Sequence, residues 1–249
     1  MSKFKDHTGD INYNTQGLKM TVIAYRGVRS IDVMFDNGYI VNNCTYSNFK
    51  SGSIKNYFYP TICGVGYIGI NIKDEILRKT KSYKVWVDMI KRCFGKRINQ
   101  AYKDCLVCDE WLCYANFKKW FDLNYYSING MKMNLDKDIM VKENKLYSPD
   151  TCIFVPQNIN KLFLKNHKNR GSLPIGIYHV SGYDTKYAVH FNSEGKLVNL
   201  GTFNTVQEAF AVYKTAKENE IKRVADEYKD KIPQKLYEAM YKYKVEITD

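Results

Sequence analysis

The spacing of apolar residues changes along this chain, and that change excludes any fold built from a single kind of element. Up to residue 73 the pattern is strand-like. Lys19–Tyr25 and Ser30–Phe35 alternate apolar with polar side chains, and Asp36-Asn37-Gly38 supplies a hairpin turn. After Phe49 the pieces are short and punctuated by Gly52, Pro60, Gly64, Gly66 and Gly69, so a small barrel or curled sheet is the expected closure. Helical spacing then takes over: Val85, Met89, Ile90 and Cys93 recur between Tyr83 and Phe94, with Lys91 and Arg92 near the end, where cations suit the helix dipole. Trp111–Phe121 predicts a second helix. Met133–Met140 and Lys145–Val155 read as two strands, and Pro156 suits the first position of a helix running to about Leu164. Together these make a strand–strand–helix unit.

A basic linker, Lys165 to Arg170, separates this unit from three short strands near 174–180, 185–192 and 196–203, with turns at Ser181-Gly182 and Ser193-Glu194-Gly195. Thr205-Val206-Gln207-Glu208 is a capping box: the Thr hydroxyl can accept a free N–H of the first turn while Glu208 reaches back. The helix it opens runs through Ala209, Val212, Tyr213 and Ala216, and Pro233 opens a last one, Gln234 to Tyr243. The mixed Lys, Glu and Asp of the final stretch read as a solvated helix face. The expected fold class is therefore α+β in three segments. Residues 1–73 form a small β-rich domain, 74–166 a helical plus strand–strand–helix unit, and 167–249 a three-stranded sheet on a helix with a C-terminal helix.

Composition narrows the partners. With 38 Lys and Arg against 26 Asp and Glu, the formal net charge is +12, a balance that favours polyanions and above all nucleic acid. Lys outnumbers Arg, which suits phosphate attraction better than bidentate base reading. No apolar run approaches the length of a membrane span, so no membrane partner is expected. The opening residues Met1 to Asp10 hold no apolar signal core, and seven cysteines fit a reducing compartment. A cytoplasmic location is the expectation.

Residues 173–216 carry the most specific pattern: Gly176, Ala188, Leu200-Gly201-Thr202-Phe203, Thr205, Glu208-Ala209 and Tyr213. This segment resembles an AP2 domain, three antiparallel strands packed on one helix. Gly201 would let the chain turn off the sheet, Phe203 would plug the sheet–helix core, and Ala209 would let the helix lie close. The resemblance implies that the exposed sheet face docks in the DNA major groove, with Tyr178, Lys186, His190 and Asn199 facing it and Lys165, Lys168 and Arg170 of the linker beside it. The sequence departs from the plant pattern at Leu197 and Asn199, where that family often places Arg or Trp. A structural three-stranded module that binds protein is the plainer alternative.

Two further stretches, Leu135-Asp136-Lys137-Asp138-Ile139 and Tyr147 to Pro156 followed by Asn160, resemble the HNH (ββα-metal) nucleases of phage homing endonucleases. Cys108-Asp109-Glu110-Trp111 precedes them as such proteins' cysteine–acid–tryptophan segment does. The resemblance implies Asp136 and Asn160 as ligands of Mg2+ or another divalent metal, with Thr151 bracing the loop. The general-base position falls on Lys137, and a protonated ammonium cannot take a proton from water. The histidines are His7, His167, His179 and His190, none of them between residues 74 and 160. A cutting unit would need another base, Asp138 or Tyr147, or a histidine from a neighbouring domain. The leading expectation is a double-stranded DNA-binding protein of phage homing-endonuclease descent with a degenerate nuclease unit. The alternatives are an active metal-dependent nickase, and a phage inhibitor of a host defence factor acting by protein contact.

Two other features weigh less. Cys93, Cys105, Cys108 and Cys113 could hold a structural zinc, but the spacing lacks a paired second knuckle, and buried cysteines are common core residues. Gly64 to Gly69 fits a dinucleotide-loop pattern, yet no helix start follows it, and turn glycines explain it better.

Overall fold

The computed structural model describes residues 5–164, 172–183, 185–193 and 195–249. The chain is α+β and divides into two compact units, one formed by residues 1–103 and 107–121, the other by 104–106 and 122–249.

Unit 1 begins with β1 (Ile11–Tyr13), β2 (Lys19–Tyr25), β3 (Ile31–Phe35) and β4 (Ile40–Cys44), paired antiparallel in sequence order. This is an open meander, where the sequence suggested a barrel or curled sheet. Alternation along β2 and β3 sends Met20, Val22, Ile31, Val33 and Phe35 inward, against Phe49 of the short helix α1 (Tyr46–Lys50) and Ile54. The opposite face carries a row in register across all four strands, Ile11, Thr21, Met34 and Ile40, in which the apolar side chains of Ile11, Met34 and Ile40 are exposed. His7 Nδ1 lies 2.9 Å from Asp10 Oδ2, and the Tyr46 hydroxyl donates to that same carboxylate, so this histidine is engaged within the first sheet's surroundings.

Helix α2 (Asp74–Lys79) leads into α3 (Lys81–Phe94), whose cap Thr80 accepts from the Tyr83 N–H. A 3-10 turn at Gln100–Tyr102 precedes β5 (Leu106–Val107), α4 (Asp109–Leu112) and α5 (Tyr114–Asn124). The helix expected over Trp111–Phe121 is interrupted at Cys113 because the backbone there pairs with Tyr67: Leu112 O accepts from Tyr67 N–H, and Tyr67 O accepts from Tyr114 N–H. Trp86, Trp111, Tyr114 and Phe117 are fully buried, and Trp86 Nε1 donates to Trp111 O at 2.7 Å. This packing also explains two glycines of the loop. A Cβ at Gly66 would meet the Trp86 ring at 3.0 Å, and one at Gly69 would meet Cys113 Sγ at 2.3 Å.

Unit 2 contains β6 (Met133–Asp136), β7 (Leu146–Tyr147) and β8 (Ile153–Pro156), then α6 (Gln157–Lys161). β6 and β8 pair antiparallel from Met133↔Pro156 to Asp136↔Ile153. Both expected strands are shorter than their apolar patterns. The first ends at Asp136, whose Oδ1 accepts from the N–H groups of Asp138 and Ile139 and turns the chain. The second is split at Ser148–Cys152, where Thr151 Oγ1 donates to Leu146 O at 2.8 Å. Pro156 is the cap of α6 rather than its first residue.

Three strands follow, β9 (Ile177–His179), β10 (Tyr187–Ser193) and β11 (Lys196–Phe203), in the order β11-β10-β9, and then α7 (Val206–Tyr228) and α8 (Gln234–Lys242). Thr205 caps α7, its Oγ1 accepting from Glu208 N–H. Helix α7 continues well past Ala216. Its first turns, with Ala209 and Tyr213, cover the inner face of the sheet with Ile177, Val189 and Phe191. Its later turns, with Ile221, Val224, Ala225 and Tyr228, close a second core with Ile139, Ile153, Val155 and Ile159 of the strand–strand–helix segment and Leu236 and Met240 of α8. The charged C-terminal stretch is thus solvated on one side only. Among the described residues no helix is long and apolar enough to cross a membrane.

Candidate nucleic-acid interface

Strand alternation decides which side chains the three-stranded sheet presents. With Ile177, Val189 and Phe191 buried against α7, Tyr178 on β9 and Ala188, His190 and Asn192 on β10 point the other way. On β11 the partners of these positions are Thr202 opposite Ala188, Asn199 opposite His190 and Leu197 opposite Asn192. Register shifts between Ala188 and His190, and this bulge is where Gly201 sits with φ 119° inside the strand. Gly201 therefore does not turn the chain off the sheet, since β11 runs on to Phe203. Gly176, at φ 77°, is needed for a different reason: a Cβ there would lie 2.3 Å from the Tyr213 ring.

The sheet brings three of the four expected groove-facing residues together. The Tyr178 and His190 rings lie 5.2 Å apart, and Asn199 stands directly across from His190. Asn199 Oδ1 accepts from Gly201 N–H at 2.9 Å, which leaves its NH2 as the outward-facing polar group. Lys186 lies just before β10, its Nζ 4.9 Å from the centre of the Tyr183 ring. Lys165, Lys168 and Arg170 fall outside the described residues. Strands β9, β10 and β11 contain no Asp or Glu, and no Arg. The face is thus aromatic, amide and apolar, with Lys186 beside it, rather than lysine-rich. The sequence reading overlooked Asn192, although its two-residue spacing from His190 was a sufficient signal.

In the strand–strand–helix segment the charged side chains are largely engaged with one another and with backbone. Lys137 is buried. Its Nζ donates to Asn144 O at 2.8 Å and to Asp138 Oδ2 at 3.1 Å. Burial by itself would lower the pKa of this ammonium, but the Asp138 carboxylate, with Cys105 and Asp136 beyond it, holds it above the ordinary lysine value. Lys137 is therefore a fixed cation and cannot serve as a base. Tyr147 is 1% exposed, with the Lys137 ammonium 5.9 Å from its ring, so it offers no surface to a substrate. Asp138 is half-exposed and neutralises Lys137. Asn144, absent from the expected set, braces the turn by donating to both Lys137 O and Leu146 O.

Burial and the neighbouring Asp138 charge push the Asp136 carboxyl up to about 6, against the two backbone N–H groups that favour its ionised form. Asn160 lies half-buried on α6, its carbonyl accepting from Phe163 N–H. A divalent cation fits this donor set poorly, because one Asp136 oxygen is already committed to two N–H donors and a buried ammonium stands beside it. Among the described residues no group of three or more His, Cys, Asp or Glu side chains is placed to hold a metal ion. Of the cysteines considered for zinc, Cys93, Cys105 and Cys113 are buried, and Cys113 packs at Gly69. No family model, curated protein or solved structure matches the chain.

Proposed function

We propose that this chain is a double-stranded DNA-binding protein of the AP2-like kind, docking the outer face of β9–β11 in the major groove, and that its HNH-like segment does not cut DNA. The observation that carries the reading is that β9, β10 and β11 carry no acid on their outer face, on which Tyr178, His190 and Asn199 stand together in a chain of net charge +12. A carboxylate there would repel phosphate; its place is taken by rings and amides that can approach base edges. A sheet braced from behind by a long helix is also rigid enough to be placed in a groove without an ordering cost. The fixed Lys137 ammonium and the buried Tyr147 support the non-cutting half of the reading.

Titration of a labelled duplex at several salt concentrations tests it. The expected result is binding that weakens steeply as salt rises, because released counterions drive it. The double variant Tyr178→Ala/His190→Ala should bind about 10-fold more weakly or worse, the loss of one or two good contacts at ~1.4 kcal/mol per decade. Plasmid incubated with Mg2+ or Mn2+ should stay supercoiled. No complex at low salt would end the DNA reading. A protein partner is the second reading, favoured by the exposed row of Ile11, Met34 and Ile40 on the first sheet. It predicts capture of one defined protein from nuclease-treated bacterial lysate, lost in Met34→Glu.

A further inference from the structure

On the reading just given, we infer that the sheet face is specific for A·T pairs and reads the thymine methyl group through Leu197, with Asn192 as its partner on adenine. Leu197 is 68% exposed on β11 and so presents its methyl groups to whatever the outer face meets. It stands directly across from Asn192 in the β10–β11 ladder, on the outer face. Opposed residues on one sheet face keep their Cβ atoms about 4.5–5.5 Å apart, so an amide and an aliphatic group are presented as a pair. Among the described residues the Asn192 amide has no hydrogen-bond partner, whereas Asn199 has its oxygen committed to Gly201 N–H. Asn192 therefore keeps its whole donor and acceptor set for a base edge, and Asn199 keeps its donors with one acceptor site already used.

The major-groove edge of an A·T pair offers the complement: the adenine N7 acceptor and N6 donor for an amide, and the thymine methyl for an apolar contact. A G·C pair has no methyl. Its commonest specific protein contact is Arg or Lys on guanine, and β9, β10 and β11 hold no Arg. The Asn192–Leu197 pair can thus gain from A·T, whereas a G·C pair would be left to Lys186 beside the face. Leu197 and Asn192 become specificity-determining residues, while Tyr178 and His190 supply sequence-tolerant contact.

The test compares three duplexes of equal length: alternating dA–dT, the same duplex with deoxyuridine for thymidine, and alternating dG–dC. Wild type should bind the thymine duplex about 5-fold or more above the uracil duplex, which differs by the methyl alone, and 10-fold or more above dG–dC. Leu197→Ala should bind the thymine and uracil duplexes equally, and Asn192→Ala should lose most of the preference over dG–dC. Both residues are exposed, so far-UV circular dichroism should be unchanged. Equal binding of all three duplexes by wild type would overturn this inference and leave the DNA reading intact. Absence of any complex at low salt would overturn both.

Discussion

Asp136 has a double character: one oxygen closes a turn, and the carboxyl as a whole is held away from its charged form. Its folded pKa, raised to about 6 from 3.8, means the folded chain keeps a proton that the unfolded chain has already released. Stability from this group is therefore full below about 3.8 and is lost as pH rises through about 6. Asp136→Asn keeps the acceptor for the Asp138 and Ile139 N–H groups and removes the charge. The variant should gain on wild type as pH climbs through that window and hold the gain at neutral pH, by roughly 2–4 °C in melting temperature per kcal/mol recovered. Thermal melts of both proteins across the acidic range would show it, and parallel pH profiles would refute it. At this scale the sequence was a good guide to identity and a poor one to role. Asp136, Lys137 and Tyr147 were each legible as notable, but their burial and the Lys137–Asp138 contact depend on how the turn folds over β7, which no local pattern encodes.

Among the elements, the strands were the easier part to read. β2 spans the expected Lys19–Tyr25, and the three strands of the second sheet lie within or close to their expected ranges, because a half-buried sheet writes its two faces into alternate residues. Interruptions were harder. Nothing in the Trp111–Phe121 spacing announces that Tyr67 will take the backbone partners of Leu112 and Tyr114. The later turns of α7 were legible in principle: Ile221, Val224, Ala225 and Tyr228 fall at helical spacing, but the surrounding Lys and Glu masked them. Since these four residues close the core shared with β8 and α8, Ile221→Ala should cost about 2–5 kcal/mol, the range for truncating a fully buried aliphatic side chain. Urea unfolding followed by far-UV circular dichroism measures this. A change well under 1 kcal/mol would mean that the helix end is not a core element.

For the molecule as a whole, the fluorophores are unevenly shared. Trp86, Trp111 and Trp120 are its three tryptophans, and all belong to unit 1, while unit 2 holds none. Tryptophan emission thus reports one unit, and circular dichroism reports both. Ile221→Ala should lower the midpoint of the dichroism transition and leave that of the emission transition in place; two curves that coincide and move together would mean a single cooperative body. The outer face of the three-stranded sheet is legible in the chain, because parity along β10 and β11 marks it, and so is the start of the helix behind it; the run of that helix past Ala216 into a second core is not. That helix, a rod of about 34 Å at 1.5 Å per residue, has a practical corollary for anyone trimming the protein. A fragment ending at Ala216 would retain every strand and yet saw the rod in half, shedding the ballast that anchors its far end, so the smallest useful piece is the whole of unit 2.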